Sequence, residues 1–394
     1  MVSGAPVPDP AKRFCSDPVR SVFSIMRART LFFAAVGLLA GSLLLGYRPV
    51  KPATAPPGSD VTVAPNFSLP RHPAPVVRRV AHLPDDAADD LRPTNLLVRM
   101  LRHEEPARLA REQLEAYLRD NHRTPDSLLG AFDATRDDAL LQEAEQKFPN
   151  DPRVELVAAT QSSSPEDRRR WLDALKETVP NNALANYLSA ADYFKSGQTD
   201  LALQDVEAGV HKPMQDYQLD SLQNAAEAYR AAGYLEADAS AMASIELLLP
   251  DLGAVKNVGY SLVDLARSYQ RAGDTPSAQA ALQLAMDLAQ RVNVPGALTL
   301  AQNMVGCAIQ QQALGAMDPH AVFGSDNQTV QSQLDAANQQ RESIKALNKQ
   351  WATLVPLMSD QDVASFYQRE RSFGEQAAEQ WVVTKYAAAV GSQP

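Results

Sequence analysis

The chain has 394 residues, of which 37 are Lys or Arg, 47 are Asp or Glu and only 18 are Gly. Scarce glycine with abundant alanine, leucine and glutamine favours helix over sheet. Residues 1–79 carry ten basic residues against three acidic ones, whereas the remainder carries 27 against 44. Because so acidic a body repels phosphate backbones, the composition argues against nucleic acid as a ligand.

The amino-terminal region has the pattern of a membrane signal. Residues 31–46 contain no charge, and five basic residues precede them. This pattern predicts a short basic cytoplasmic segment at 1–30 and a single transmembrane anchor at 31–47, with the bulk of the chain periplasmic or extracellular. An apolar run of this length also suits a signal peptide, so secretion after cleavage is the alternative.

A proline-rich segment follows. Residues 48–79 contain eight prolines and almost no apolar periodicity, which predicts an extended, solvated linker over 48–87. Such a tether would hold the folded body clear of the membrane while keeping its local concentration high. A spacer of no particular length remains the alternative.

Helical periodicity begins near residue 88 and continues through 182. Leu114 and Leu118 lie on one face of a predicted helix that ends near Asn121. Further helices are predicted over 127–134, 137–148 and 168–178. Prolines close these units, because proline just past a helix end cannot continue it.

A repeated pattern then sets the architecture. The motif Ala-x-x-Tyr-x-x-x-Gly occurs three times, at Ala190/Tyr193/Gly197, Ala226/Tyr229/Gly233 and Ala266/Tyr269/Gly273. A recurrence every 35 to 40 residues is typical of stacked helical hairpins. The alanine permits close helix approach, the glycine ends a helix in a left-handed turn, and we expect all three tyrosines to be core residues.

These residues resemble the tetratricopeptide repeat family in its membrane-anchored bacterial form. The third copy matches the family pattern best, at Leu262, Leu265, Ala266, Tyr269, Gly273, Ala278, Leu282 and Ala285. The glycines are 36 and then 40 residues apart, whereas the family repeats every 34. Residues 149–182 look like a degenerate copy, and a helix around Cys307, itself a predicted core residue, looks like the start of another.

The resemblance implies an all-α fold, a right-handed α-solenoid of antiparallel helix hairpins. The repeats would occupy 183–318, after amino-terminal helices and degenerate repeats over 88–182. In this family the first helix of each hairpin lines a concave groove. Carried over to this sequence, the groove residues are Leu184, Tyr187, Ala191, Phe194, Asp220, Gln223, Glu227, Arg230, Tyr260, Val263, Arg267 and Gln270.

The last region, 319–394, differs from the repeats in composition. Residues 327–353 read as one long Gln-rich helix, and two shorter aromatic helices are expected at 361–371 and 372–388. We expect these helices to cap the open end of the array; a partner-binding module is the alternative.

No catalytic, phosphate-binding or dinucleotide motif occurs, and the six histidines are dispersed. No metal or cofactor is therefore predicted. The sequence favours a scaffold that binds a protein or peptide outside the cytoplasm, in the assembly of an envelope or secretion complex. Two alternatives remain: an enzyme with a motif-less site that recruits His211, Glu227 or Arg267, and a self-assembling structural protein.

Overall fold

The computed structural model describes residues 109–247, 249–324 and 327–390. Everything in these ranges is helical or irregular, apart from one isolated bridge between Val322 and Thr329. The helices are α1 Arg111–Asp120, α2 Pro125–Thr135, α3 Asp138–Lys147, α4 Pro152–Gln161, α5 Pro165–Thr178, α6 Ala183–Lys195, α7 Thr199–Val210, α8 Gln218–Ala231, α9 Glu236–Glu246, α10 Pro250–Arg271, α11 Thr275–Val292, α12 Leu300–Leu314, α13 Val330–Leu354, α14 Asp360–Phe373 and α15 Glu375–Val390. A short 3₁₀ turn, Val355–Leu357, joins α13 to α14.

The predicted cytoplasmic segment, membrane anchor and linker, and the predicted helical region as far as residue 108, lie outside the described residues. Within the described ranges, no helix combines the length and the apolar composition that crossing a membrane requires.

Local sequence signals explain where most helices begin. A Ser, Thr, Asp or Asn side chain accepts a hydrogen bond from a backbone N–H in the first turn, which satisfies a donor that the helix itself leaves free. The residues that do so are Thr124, Asp137, Asp151, Ser164, Asn182, Asp274, Thr299, Thr329 and Ser359. Proline occupies the first turn of α2, α4, α5, α10 and α11, where its missing N–H costs nothing.

The three motif copies form helix hairpins, as the sequence predicted. The glycines at the turns, Gly197, Gly233 and Gly273, have φ angles of 76°, 91° and 78°, a region that residues with a Cβ atom avoid. The motif alanines are fully buried. The expectation for the tyrosines is correct only for Tyr229, because Tyr193 and Tyr269 are half-buried.

The observed helices follow the predicted ones closely where local signals are strong. The predicted helix over 327–353 is α13, and those over 361–371 and 372–388 are α14 and α15. Residues 149–182 form the hairpin α4–α5, and Cys307 is buried in α12. The longer spacing before the third copy is absorbed by α10, which begins at Pro250 and runs for 22 residues.

The hairpins do not pack in chain order. Helix α10 packs directly against α6, so the third hairpin lies on the first. We call α4–α7 together with α10–α13 the main stack; one continuous apolar core runs through it from Leu156 to Val330. We call α1–α3, α8, α9, α14 and α15 the flanking group, in which α8 packs on α2 and α9 packs on α14.

A glycine allows α2 and α8 of the flanking group to approach each other closely. An added Cβ atom on Gly130 of α2 would lie 2.5 Å from the backbone oxygen of Asn224 on α8. Real Cβ contacts are never so short, and the obstacle is backbone that cannot move aside alone. The α2–α8 crossing therefore requires glycine at this position.

The carboxyl-terminal helices connect the two groups. α15 packs on α13, whose amino-terminal end belongs to the main-stack core, while α14 packs on α9. Trp351 of α13 stacks on Phe366 of α14, with the ring centroids 5.4 Å apart. The Tyr386 hydroxyl donates to Asp362 over 2.6 Å and joins α15 to α14.

Candidate functional site

The predicted groove residues separate into three locations. Leu184 and Tyr187 are each only 1 % exposed, because α5, α7 and α10 all pack against α6. They are core residues and cannot contact a partner unless the helices separate. Val263 is likewise buried. Ala191, Phe194 and Tyr260 are half-buried and pack against the main-stack core.

A second set lies on α8. Gln223, Glu227 and Arg230 are exposed and Asp220 is half-buried. The Arg230 guanidinium forms an ion pair with Glu236 over 3.1 Å. Because α8 belongs to the flanking group, this set does not continue the surface of α6 as a regular array would.

The third set lies on the carboxyl-terminal half of α10, where the surface forms a shallow, open depression. A depression of about 550 Å³ is lined by Asp264, Arg267, Gln270 and Arg271. Two of these four, Arg267 and Gln270, belong to the predicted groove. The sequence analysis did not name Asp264 or Arg271, although their positions three before and four after Arg267 place them on the same helix face.

Hydrogen bonds fix the side chains of this depression. Arg267 donates to Asp264 over 3.2 Å and to the Gln312 side chain of α12 over 3.4 Å. Gln270 donates to the Ala316 carbonyl over 2.9 Å. The Arg271 Nε donates to the Arg267 carbonyl over 3.2 Å, and the Arg271 side chain is exposed; a guanidinium can bind a carboxylate through its terminal nitrogens.

A smaller, partly open cavity lies where the main stack meets the flanking group. Its volume is about 50 Å³, enough for a few water molecules and far below the roughly 300–1,000 Å³ of small-molecule sites. The lining residues are Phe132, Asp133, Arg136, Leu156, Val157, Thr160, Gln161, Asp216, Gln218, Ser221, Leu247, Pro250 and Asp251.

Three carboxylates line this cavity and all have raised pKa values. Burial, partly offset by Arg136, raises the pKa of Asp133 to about 6. Burial and the charge of Asp216 raise the pKa of Asp251 to about 6, and burial raises the pKa of Asp216. The Gln218 amide donates to Asp251 over 3.3 Å.

The cavity is short of hydrogen-bond donors. Asp133 Oδ2 and Gln218 Oε1 are buried without a hydrogen-bond partner. The Arg136 guanidinium is already held by Asp133 and the Glu246 carbonyl. Within the described ranges, no group of His, Cys, Asp and Glu has metal-ligating geometry.

The residues proposed for a motif-less enzyme are not gathered here. His211 ends α7, Glu227 lies on α8, and neither lines the depression or the cavity. Arg267 lines only the open depression on α10.

Comparisons of the chain with protein-family models, with curated proteins and with solved structures gave no match. What the structure establishes is the class of protein, an all-helical fold compatible with an α-solenoid.

Proposed function

We propose that the chain is a tetratricopeptide-like scaffold, tethered to the cell membrane by residues 31–47 with its amino end in the cytoplasm, that holds another protein in the periplasm or extracellular space. Assembly of an envelope or secretion complex is the natural use of such a tethered scaffold. The proposal involves no cofactor and no catalysis.

One observation carries the proposal: the exposed depression on α10. It is open, it is held in place by hydrogen bonds to α12 and the segment after it, and it presents Arg267 and Arg271 from an otherwise acidic body. Open surfaces with a few fixed polar anchors favour recognition of a protein segment over a small molecule. The two arginines favour a partner segment that carries carboxylates.

The test is site-specific cross-linking in the native membrane. A photo-reactive residue at Gln270 is expected to capture one defined protein, whereas the same probe at Gln350, exposed on α13, is not. The double variant Arg267→Glu with Arg271→Glu is expected to lower capture at Gln270 at least about tenfold, because each lost charge-assisted hydrogen bond contributes roughly 1.5–3 kcal/mol.

Arg230→Glu is the matched control, since Arg230 is also an exposed arginine but lies on α8. Helix content measured by circular dichroism should be the same in both variants. Unchanged capture in the double variant refutes the α10 surface. Loss of capture only with Arg230→Glu moves the binding surface to α8.

A further inference from the structure

Three glutamates that form no ion pair with any other described residue are packed where the last two helices meet. Glu370 lies in the last turn of α14, and Glu375 and Glu379 lie in the first turns of α15. Glu370 and Glu379 are 5 % and 0 % exposed, and Glu375 is half-buried. Gly374, at φ 85°, makes the sharp turn that brings the two helices together.

Neutral groups from three neighbouring elements contact these carboxylates. Ser244 of α9 donates to Glu370 over 3.1 Å. The Leu300 N–H at the start of α12 donates to Glu375 over 2.6 Å. Asn348 of α13 donates to Glu379 over 2.7 Å, and the other Glu379 oxygen is buried without a hydrogen-bond partner.

The charged groups nearby are already engaged elsewhere. The charge of Arg371 on α14 partly offsets the raised pKa of Glu370, but its guanidinium bonds the Ser240 hydroxyl and Glu236 of α9. On α13, Lys345 pairs with Glu342 over 2.7 Å.

The remaining neighbours do not neutralise the three carboxylates either. Lys349 of α13 is exposed to solvent. On α15, Lys385 pairs with Asp362, and Arg369 of α14 lies over the Trp381 ring. The Tyr367 hydroxyl faces Glu370 and Glu375, but burial raises its pKa, so it stays neutral. The first turn of α12 has no titratable side chain.

Burial in this setting favours the protonated carboxyls. Burial and the neighbouring Glu375 raise the pKa of Glu370 to about 8 and that of Glu379 to about 8. Burial also raises the pKa of Glu375. A raised pKa in the folded state means that the protonated carboxyl stabilises docking at low pH. That stabilisation is lost as the pH rises from the ordinary value of about 4.5 through the folded value.

We propose that Glu370, Glu375 and Glu379 form a pH-sensitive latch that keeps α14 and α15 docked while they hold protons and loosens the docking when they release them. Undocking would uncover the apolar surface of α9 on which Phe366 and Tyr367 pack, including Ala241 and Met242. This device is independent of the α10 surface and of any partner.

Hydrogen exchange of the full-length chain, corrected for the intrinsic pH dependence of exchange, tests the latch. The opening constant of amides in α14 and α15 should rise at least about tenfold between about pH 6 and pH 9 and level off above about pH 8, because up to that pH the docked Glu370 and Glu379 hold protons that the undocked glutamates have already released. Amides of the α6–α7 hairpin, measured in the same samples, serve as the internal reference.

The variant Glu370→Gln with Glu379→Gln imitates the protonated state of these two carboxyls and should remove most of the rise, with the remainder due to Glu375. Glu375 is left unchanged because it also accepts the Leu300 hydrogen bond. Glu112→Gln is the matched control, being an exposed glutamate on α1, and should keep the wild-type profile. A flat wild-type profile, or an equal rise in the double variant, overturns the proposal. If the double variant does not fold, the proposal is tested by the pH dependence of the opening constant in the wild type and in the two single variants.

Discussion

The second copy of the repeated motif has a different packing environment from the first and third copies. Copies one and three form α6–α7 and α10–α11 and pack on each other in the main stack. Copy two forms α8–α9, and its helices pack on α2 and α14 in the flanking group. The three copies share one local structure, the hairpin with its left-handed glycine, but they do not share one packing environment.

The motif tyrosine shows the difference most clearly. Tyr229 is 2 % exposed, its hydroxyl donates to the Ala134 carbonyl over 3.2 Å, and its ring meets Tyr234 edge-on at 5.3 Å. Tyr193 is half-buried, with the Arg169 guanidinium 3.7 Å from its ring centroid. Tyr269 is half-buried on α10. Local sequence therefore fixes where the tyrosine stands on its helix, and tertiary packing decides what it touches.

Truncation of the motif tyrosines should give the largest contrast. Tyr229→Ala is expected to lower the free energy of unfolding by about 3–5 kcal/mol, the usual cost of removing a buried aromatic ring. Tyr269→Ala, at the same motif position on a half-exposed surface, should cost about 1 kcal/mol or less. Urea unfolding followed by circular dichroism measures both. Equal losses would mean that the second copy is no more deeply packed than the third.

The chain segments that enter and leave the hairpin α8–α9 both line the cavity that contains Asp133, Asp216 and Asp251. A substitution of one of these carboxylates should give the next largest effect. Asp251→Asn should raise the free energy of unfolding at pH 7–8 by about 1–3 kcal/mol, since it removes a buried negative charge while keeping a hydrogen-bond acceptor for Gln218. The pKa of Asp251 is raised to about 6. The wild-type protein therefore loses this stability between about pH 4 and pH 6, and the variant does not.

The measurement is the unfolding midpoint at pH 4 and at pH 7.5. The variant and the wild type should coincide at the lower pH and separate at the higher one. Asp264→Asn provides the control, because that carboxylate is exposed on α10. If Asp251→Asn stabilises the protein equally at both pH values, the stabilisation comes from packing and not from the removed charge.

The sequence predicted the hairpins because their signals are local. Glycine at a turn, alanine at a close contact and a cap residue at a helix start all act within one or two turns of the chain. The burial of Leu184 and Tyr187 depends instead on α10 packing against α6 across the intervening α8–α9 hairpin. Periodicity shows that a helix has an apolar face but not which helix covers it.

The candidate sites also divide into those predictable from local sequence and those that depend on long-range packing. Arg267 and Gln270 lie on one helix face, so their proximity follows from spacing alone. The cavity joins Asp133 of α2 to Asp251 of α10, and the glutamates meet Ser244 and Asn348 from distant helices. No local pattern marks such contacts, and the composition of each helix taken singly suggests only solvated acidic residues.

The turn glycines should give the smallest and most uniform effect. An added Cβ atom at Gly197, Gly233 or Gly273 would meet nothing within 4 Å, so the only cost of alanine is the positive φ angle. That cost is about 1–2 kcal/mol for an L-residue, and it should be equal within about 0.5 kcal/mol in all three copies. Gly130→Ala is the contrast, because its Cβ atom would meet backbone at 2.5 Å and should cost more. Chemical denaturation of the four variants measures the comparison. A markedly larger loss of unfolding free energy at Gly233 than at the other two turns would show that the packing around the second copy also affects its turn. The hairpin would then not be a purely local unit.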